Sequence, residues 1–433
     1  MAAALFPCRT MIAQEGGAWN LERCIDYAIE NNLMVKSRDV SVRQNELDLK
    51  TAKFSRLPDL SASAGQNFSF GRGLSESNTY VNTNTSSTSF SVGASINVFD
   101  GFRVNRTVKL NALNLEAATA DLEKARDDIR VQVTRAYVQI LYNQEILNVA
   151  QRQVEIDSAQ VERLKVMAAK GKVSTADLAR GEASLGQSRL TCTQAANSLK
   201  ISILDLTQLL ELPSPEGFII VAPDPQQIII LPEGGPEAIY SDALGTRPVI
   251  KAEQTRLKAA EMNVAIAKSA WYPSISLSGG IGSNYYSSKG YETAGFWNQL
   301  SNNFSQYVGL SLNIPIFHKM ATKNSVTGAK LSRIQQQIQL ETVKKSLYKE
   351  IQQAWYNAVA AQSKLASCSD ALASAEKSFD LTTAKYENGM AVITEFNESK
   401  NALMKARSDM LQARYEYMFN AKLLDFYRTG EIK

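Results

Sequence analysis

The 433-residue chain has little from which a metal or catalytic centre is built: one histidine, His318, and four cysteines that stand singly. No two of them fall at C-x-x-C or H-x-x-x-H spacing, which excludes a zinc site of the usual kind. His318 directly follows the strand-like run Leu312–Phe317, where a capping or interfacial histidine is expected. No G-x-x-x-x-G-K-[ST] segment is present to cradle a phosphate, and no nucleophile–base constellation is legible. The chain therefore reads as a non-enzyme without a cofactor. An excess of one charge is missing too. Against 47 Lys+Arg stand 43 Asp+Glu, leaving a net charge of +4. The signs alternate, as along Asp121-Leu122-Glu123-Lys124-Ala125-Arg126-Asp127, which describes a solvated helix face and no nucleic-acid surface.

Long apolar runs are also absent. Without about 18 consecutive apolar residues an ordinary transmembrane helix is excluded, but a membrane β-barrel is not, since its strands need only about 9–11 alternating residues. Proline is missing from Asp59 to Leu212 and from Ile316 to the C-terminus, while six of the eleven prolines crowd between Pro213 and Pro236. Uninterrupted helices of about 65 residues, roughly 100 Å long, are therefore allowed in each half. The proline-rich stretch 213–236 reads as a linker. Residues 1–18 read as a leader or the remnant of a secretion signal, because Ala2–Phe6 is apolar but short. Cys8, preceded by Phe6-Pro7, has a poor context for lipid attachment.

What the sequence does contain is a duplication. An offset of 218 pairs Gly171 with Gly389, Val133 with Ile351, Ala136-Tyr137 with Ala354-Trp355, Gln144 with Gln362, Leu147 with Leu365, Arg189 with Arg407 and Leu206 with Leu424. Near the start of each half the offset is 215, pairing Ala28 with Ala243, Glu46 with Glu261 and Pro58 with Pro273. Each unit predicts a helix, two strands and two long helices joined at a glycine. The first repeat, 19–212, reads as helix 21–55, strands 58–70 and 87–99, and helices 102–170 and 174–211. The second, 237–433, reads as helix 237–270, strands 273–285 and 304–317, and helices 320–388 and 392–426. Pro58 and Pro273 mark helix-to-strand switches. Val133, Ala136, Tyr137, Ile140 and Leu147, answered by Ile351, Ala354, Trp355, Ala358 and Leu365, have coiled-coil-like spacing.

The strands show by period. Phe90, Val92, Ala94, Ile96 and Val98 alternate with small polar residues, as do Val308, Leu310, Leu312, Ile314 and Ile316. Aromatics at Phe68, Phe70, Phe90, Tyr285, Tyr286, Trp297, Phe304 and Tyr307 gather where a membrane interface would lie. The loops Gly71–Thr88 and Ser283–Asn303 read as exposed. Alternation alone fits a soluble sheet equally well. In lipid, four strands neither close a barrel, which needs about eight, nor leave edges open. A membrane reading thus requires copies, and three would supply twelve strands.

Taken together, the duplicated unit, the segments Gly171-x5-Asp177-Leu178 and Gly389-x5-Glu395-Phe396, and the strand ends Ile96-Asn97-Val98-Phe99-Asp100-Gly101 and Leu312-Asn313-Ile314-Pro315-Ile316-Phe317 resemble the TolC or outer membrane efflux protein family over nearly the whole chain. The resemblance implies an α+β membrane protein: a homotrimer with a twelve-stranded outer-membrane β-barrel and a long α-helical periplasmic tunnel. The linker and Leu424–Lys433 would join a small middle domain. The implied function is a passive exit duct of a tripartite efflux or export system in the outer membrane of a Gram-negative bacterium. Its implied partners are a periplasmic adaptor protein, an inner-membrane transporter of RND or ABC type, and outer-membrane lipid. Polypeptide secretion is the alternative cargo, and a soluble coiled-coil scaffold is the alternative of another class.

The glycine turns are expected at the periplasmic tips, with Ser174 or Thr175 capping the next helix. Gly171, Lys172, Val173 and Ser174, with Gly389, Met390, Ala391 and Val392, then offer an adaptor-docking surface, or pack against neighbouring tips. Glu395 and Glu398 lie three apart on one helical face, and threefold symmetry turns each into a carboxylate ring. By resemblance, acids at these two positions line the periplasmic mouth, where Asp is usual. Asp177 and Tyr386 match positions that hold the entrance closed, through an Asp–Tyr hydrogen bond; each acid reads equally as a solvated helix residue. The family's arginine two residues after the second glycine is replaced by Ala391. Gln144 and Gln362 read as water-facing. Cys192 and Cys368, each 21 residues from a tip glycine, stand at similar height, where a disulfide is conceivable but small apolar packing is expected.

Overall fold

Each proline-free stretch holds one long uninterrupted helix, and the two helices are equal in length. In the computed structural model, which describes residues 18–74, 78–221, 234–288 and 293–430, the first half runs α1 (Leu21–Asn31), α2 (Leu33–Phe54), β1 (Asp59–Leu74), β2 (Tyr80–Phe99), α3 (Arg103–Ala169) and α4 (Thr175–Leu209). The second half runs α5 (Gly235–Thr246), α6 (Pro248–Ser269), β3 (Ser274–Ser288), α7 (Phe296–Asn302), β4 (Ser305–Asn313), α8 (Ala321–Glu387) and α9 (Ile393–Thr429). Helices α3 and α8 each span 67 residues. The leader with Cys8, linker residues 222–233 and residues 431–433 lie outside the described residues.

Several bounds differ from the sequence expectation, each for a physical reason. The helices expected over 21–55 and 237–270 each break once, at Asn32 and at Arg247. These two residues are 215 apart, so the break is part of the duplicated unit. Arg247 precedes Pro248, which disfavours helical geometry in the residue before it, and its ψ is 125°. Asn32 has no proline after it. Instead its side chain accepts from the Met34 N–H at 2.9 Å and donates to the Leu209 carbonyl at 3.0 Å. Strand β4 ends at Asn313 and not at 317, because Pro315 lacks the N–H needed to continue a ladder. Strands β1 and β2 reach further than expected, so most of the presumed loop 71–88 is hairpin. The presumed loop 283–303 holds the end of β3 and all of α7.

Two compact units result. One comprises Ser41–Thr119 and Ala252–Glu341 and carries the sheet. Its four strands are antiparallel in the order β1-β2-β3-β4, so the two halves of the chain meet at the β2–β3 pair. Register puts like with like. Leu60, Ala94, Gly279 and Val308 form one cross-strand row, and Ile96, Leu277 and Leu310 another on the same face. Ser63, Ser91, Gly282 and Ser305 form a row on the opposite face, with the Ser63 and Ser91 hydroxyls 2.8 Å apart. Tyr307, grouped by sequence with the rim aromatics, pairs with Gly280 and so lies on this small-residue face. Among the described residues no helix covers the apolar face: Leu60 is 71% exposed, Val308 83% and Leu310 71%. Helix α7 leans on the sheet, where the Gln299 side chain bonds both the N–H and the carbonyl of Tyr286 at 2.9 Å. Among the described residues the outer edges of β1 and β4 have no strand partner.

The other unit comprises Met1–Val40, Ala120–Lys251 and Thr342–Lys433. Its core shows the duplication residue by residue. Ile239, Ala243, Ile250, Leu347, Ile351, Ala358 and Leu424 form one buried cluster. Their counterparts Cys24, Ala28, Val35, Ile129, Val133, Ile140 and Leu206 are all buried as well. Seams of this kind bury about 1.5–3 kcal/mol of transfer free energy per large side chain. Arg247, at the second break, is 6% exposed; it stacks on Phe426 at 4.1 Å and pairs with Asp127 at 3.2 Å. It also donates to the Phe426 carbonyl, mirroring the bond that Asn32 makes to Leu209. Burial pushes the Asp127 carboxyl up despite Arg247 and Arg130 beside it, and burial lowers Arg247. Desolvation thus outweighs attraction in this pair.

Candidate functional site

The two hairpin turns share one backbone design. Gly171 has φ +68° and Gly389 φ +73°, the left-handed region that ends a helix, and a Cβ at either would meet nothing within 4 Å. Conformation, not crowding, requires glycine here. Lys172 N–H reaches the Met167 carbonyl at 2.9 Å and Gly171 N–H that of Ala168 at 2.9 Å. Met390 N–H reaches the Lys385 carbonyl at 2.9 Å and Gly389 N–H that of Tyr386 at 3.1 Å. Both are Schellman turns.

Beyond the glycines the tips diverge. Ser174, not Thr175, caps α4: its Oγ accepts from the Asp177 N–H at 3.1 Å and donates to the Asp177 carboxylate at 2.7 Å. At the equivalent place in the second tip stands Val392, which caps nothing and is 65% exposed, beside Met390 at 71%. Lys172, Gly171, Ser174 and Gly389 are exposed, whereas Val173 and Ala391, expected to be exposed, are half-buried. The open apolar surface therefore belongs mainly to the second tip.

Of the residues expected at the entrance, Glu395 and Glu398 are both exposed on the first turns of α9. Asp177 and Tyr386 do not bond each other within the chain. Asp177 is held by Ser174 and by Arg180 at 3.5 Å. Tyr386 accepts from Gln160 Nε2 at 2.8 Å, and its ring stacks on Phe396 at 5.0 Å. Cys192 and Cys368 are both free thiols. Gln144 and Gln362 are exposed, Gln144 bonding only Asn148.

Sequence reasoning missed the strongest polar feature of this region. Lys400 of α9 donates to Asp157 of α3 at 2.6 Å, with both side chains 3% exposed. Ser184 Oγ takes a second proton of the ammonium at 3.0 Å. Gln153 and Ser188 donate to the other carboxylate oxygen. One turn on, Gln160 meets Tyr386, and one turn further Arg163 meets Glu387 at 3.4 Å. Positions 157, 160 and 163 share a face of α3, so three successive turns of the first hairpin clasp the second. The ion pair exists once: the counterparts of Asp157 and Lys400 are Ala375 and Glu182. Among the described residues no helix is long and apolar enough to cross a membrane, and no acidic, histidine or cysteine cluster could hold a metal ion.

The chain is 22% identical over 419 residues to the outer membrane efflux protein BepC of Brucella suis, covering 96% of this chain and 86% of that protein. Against the outer membrane protein TolC of Escherichia coli it is 22% identical over 387 residues, 86% of this chain and 74% of TolC. The fold is similar to the crystal structure of the Campylobacter jejuni CmeC outer membrane channel, with a TM-score of 0.83 and 18% identity over 95% of this chain and 85% of that one. The sequence pattern of the outer membrane efflux proteins matches twice, at residues 24–211 and 239–425, once per half. The chain belongs to the outer membrane efflux protein family, whose members are outer-membrane channels of Gram-negative bacteria with a periplasmic helical part, and not enzymes.

Proposed function

We propose that this chain forms a passive homotrimeric exit duct, docked at its hairpin tips by a periplasmic adaptor and supplied by an inner-membrane transporter. One observation carries the reading: a four-stranded sheet with a largely apolar face which, among the described residues, no helix covers, and with free edges on β1 and β4. Such a sheet is stable in lipid only when closed, and a C3 assembly closes it with twelve strands. Met390 and Val392 then present apolar surface to the adaptor, with Gly171, Lys172, Val173, Ser174, Gly389 and Ala391 shaping the turns. Glu395 and Glu398 form stacked carboxylate rings at the mouth, which favour cations. At the entrance Tyr386 ties the second hairpin to Gln160 of the first, while Asp177 is engaged in capping its own helix through Ser174.

The purified protein is expected to run as a heat-resistant trimer and to conduct in planar bilayers. A monomer in detergent-free buffer sinks the proposal. Charge at the second tip, Met390→Asp with Val392→Asp, is expected to abolish cross-linking to the adaptor while leaving the trimer intact. Unchanged cross-linking removes the docking assignment alone.

A further inference from the structure

Helix α3 begins against its own electrostatics. Its first turns carry Arg103, Arg106 and Lys109, with no acidic residue in the first turn, although the helix N-terminus is itself the positive end of the dipole. Asp100 offsets only part of this, capping Val104 N–H at 3.1 Å and pairing with Arg103 at 3.5 Å. Arg106 uses one guanidinium nitrogen to bond the Gly101 and Ala265 carbonyls at 3.2 and 2.9 Å and Ser269 Oγ at 2.7 Å, and its other two nitrogens have no hydrogen-bond partner among the described residues. Between these turns and the α2–β1 connection lies a cleft of about 420 Å³ lined by Arg56, Phe102, Asn105, Arg106 and Lys109. No carboxylate lines it, and neither Arg56 nor Lys109 has an acidic partner among the described residues.

An apolar shelf adjoins the cations. Phe54, Leu57 and Phe102 are 56%, 59% and 54% exposed, and Phe102 holds a left-handed backbone with φ +66°. On the duct reading proposed above, on which this inference rests, the cleft lies where the strands give way to the periplasmic helices, at the height of the inner-leaflet headgroups. The second half supplies an internal control. Met320 repeats the left-handed backbone of Phe102, with φ +64°, but Trp271, Asn324 and Thr327 replace Arg56, Arg106 and Lys109. The fold recurs there with one lysine, Lys323 in place of Asn105, and with none of the three cations, so the junction does not need Arg56, Arg106 and Lys109 for its geometry.

We propose that this cleft binds the phosphodiester headgroup of an anionic phospholipid of the inner leaflet, Arg56, Arg106 and Lys109 contacting the phosphate and Phe54, Leu57 and Phe102 the chains. Basic pockets at a membrane surface take anionic headgroups in this way. The test uses the full-length protein in nanodiscs of phosphatidylcholine with or without phosphatidylglycerol, read by native mass spectrometry after release and by melting temperature. Wild type is expected to retain phosphatidylglycerol and to melt higher in its presence. Arg56→Gln with Lys109→Gln is expected to weaken retention about tenfold or more, with an unchanged melting temperature in pure phosphatidylcholine. Lys323→Gln, at the second junction, is expected to retain lipid like wild type. Equal retention by the double variant overturns the site. Equal stabilisation by inorganic phosphate alone overturns the lipid assignment.

Discussion

The two halves of this chain are copies that agree in what they bury and disagree in what they charge. Seven core positions are buried in both, the two long helices have the same length, and both turns are Schellman turns around a left-handed glycine. Polar chemistry follows no such rule. The first tip is capped by Ser174 and Asp177 while the second leaves Val392 bare. The first helix break is held by a neutral amide, the second by a buried guanidinium. Asp157 and Lys400 pair across the halves although their counterparts do not. A shared fold needs the same apolar seam twice, because packing is set by helix geometry. Polar partners are free to diverge wherever one copy has a neighbour that the other lacks, and the two hairpins of one chain are unlike for that reason.

The sharpest way to break the comparison is at the one polar link that has no copy. Lys400→Met or Asp157→Asn alone leaves a buried charge unpaired and is expected to cost about 3–5 kcal/mol in a urea titration of the trimer. The double variant Asp157→Leu with Lys400→Leu is expected to recover most of that. Equal loss in single and double variants would show that the clasp acts through packing. Next come the paired helix breaks. Arg247→Ala leaves Asp127 with Arg130 alone and the Phe426 carbonyl with the Gly430 N–H alone, and removes the stacking on Phe426, with an expected cost of about 2–3 kcal/mol, against about 1–2 for Asn32→Ala, measured as the shift in urea midpoint.

Glycine comparison tests what the halves share: Gly171→Ala and Gly389→Ala are each expected to cost about 1–2 kcal/mol, and equally, since both backbones are left-handed and neither is crowded. The smallest effect concerns the caps. Ser174→Ala is expected to lose about 1 kcal/mol, and Val392→Ser to gain a few tenths to 1, in the same titration. A cost from Val392→Ser would mean that this valine already packs against something in the trimer.

Much of this was legible before any coordinates. Proline placement set the long helices, the 218-residue offset set the duplication, and both tip glycines stood out by their neighbours. Glu395 and Glu398 do share an exposed face, as their spacing required. The partner of Asp177 was not legible: a carboxylate three residues after a serine N-cap is drawn into the cap itself, and Tyr386 found Gln160 instead. Val173 looked as exposed as Val392 because sequence neighbours do not tell which side of a tip packs inward.

By itself the sequence determined the features that repeat at short range: strands of period two, helices with seams at three and four, and left-handed glycine turns. Only the tertiary structure decided the features joined at long range. Asp157 and Lys400 are 243 residues apart, Asn32 and Leu209 are 177 apart, and the β2–β3 register brings Val92 against Ile281. Local periodicity fixes which face of an element is apolar, but which polar group waits across the gap depends on how the elements are brought together, and no short stretch of chain records that.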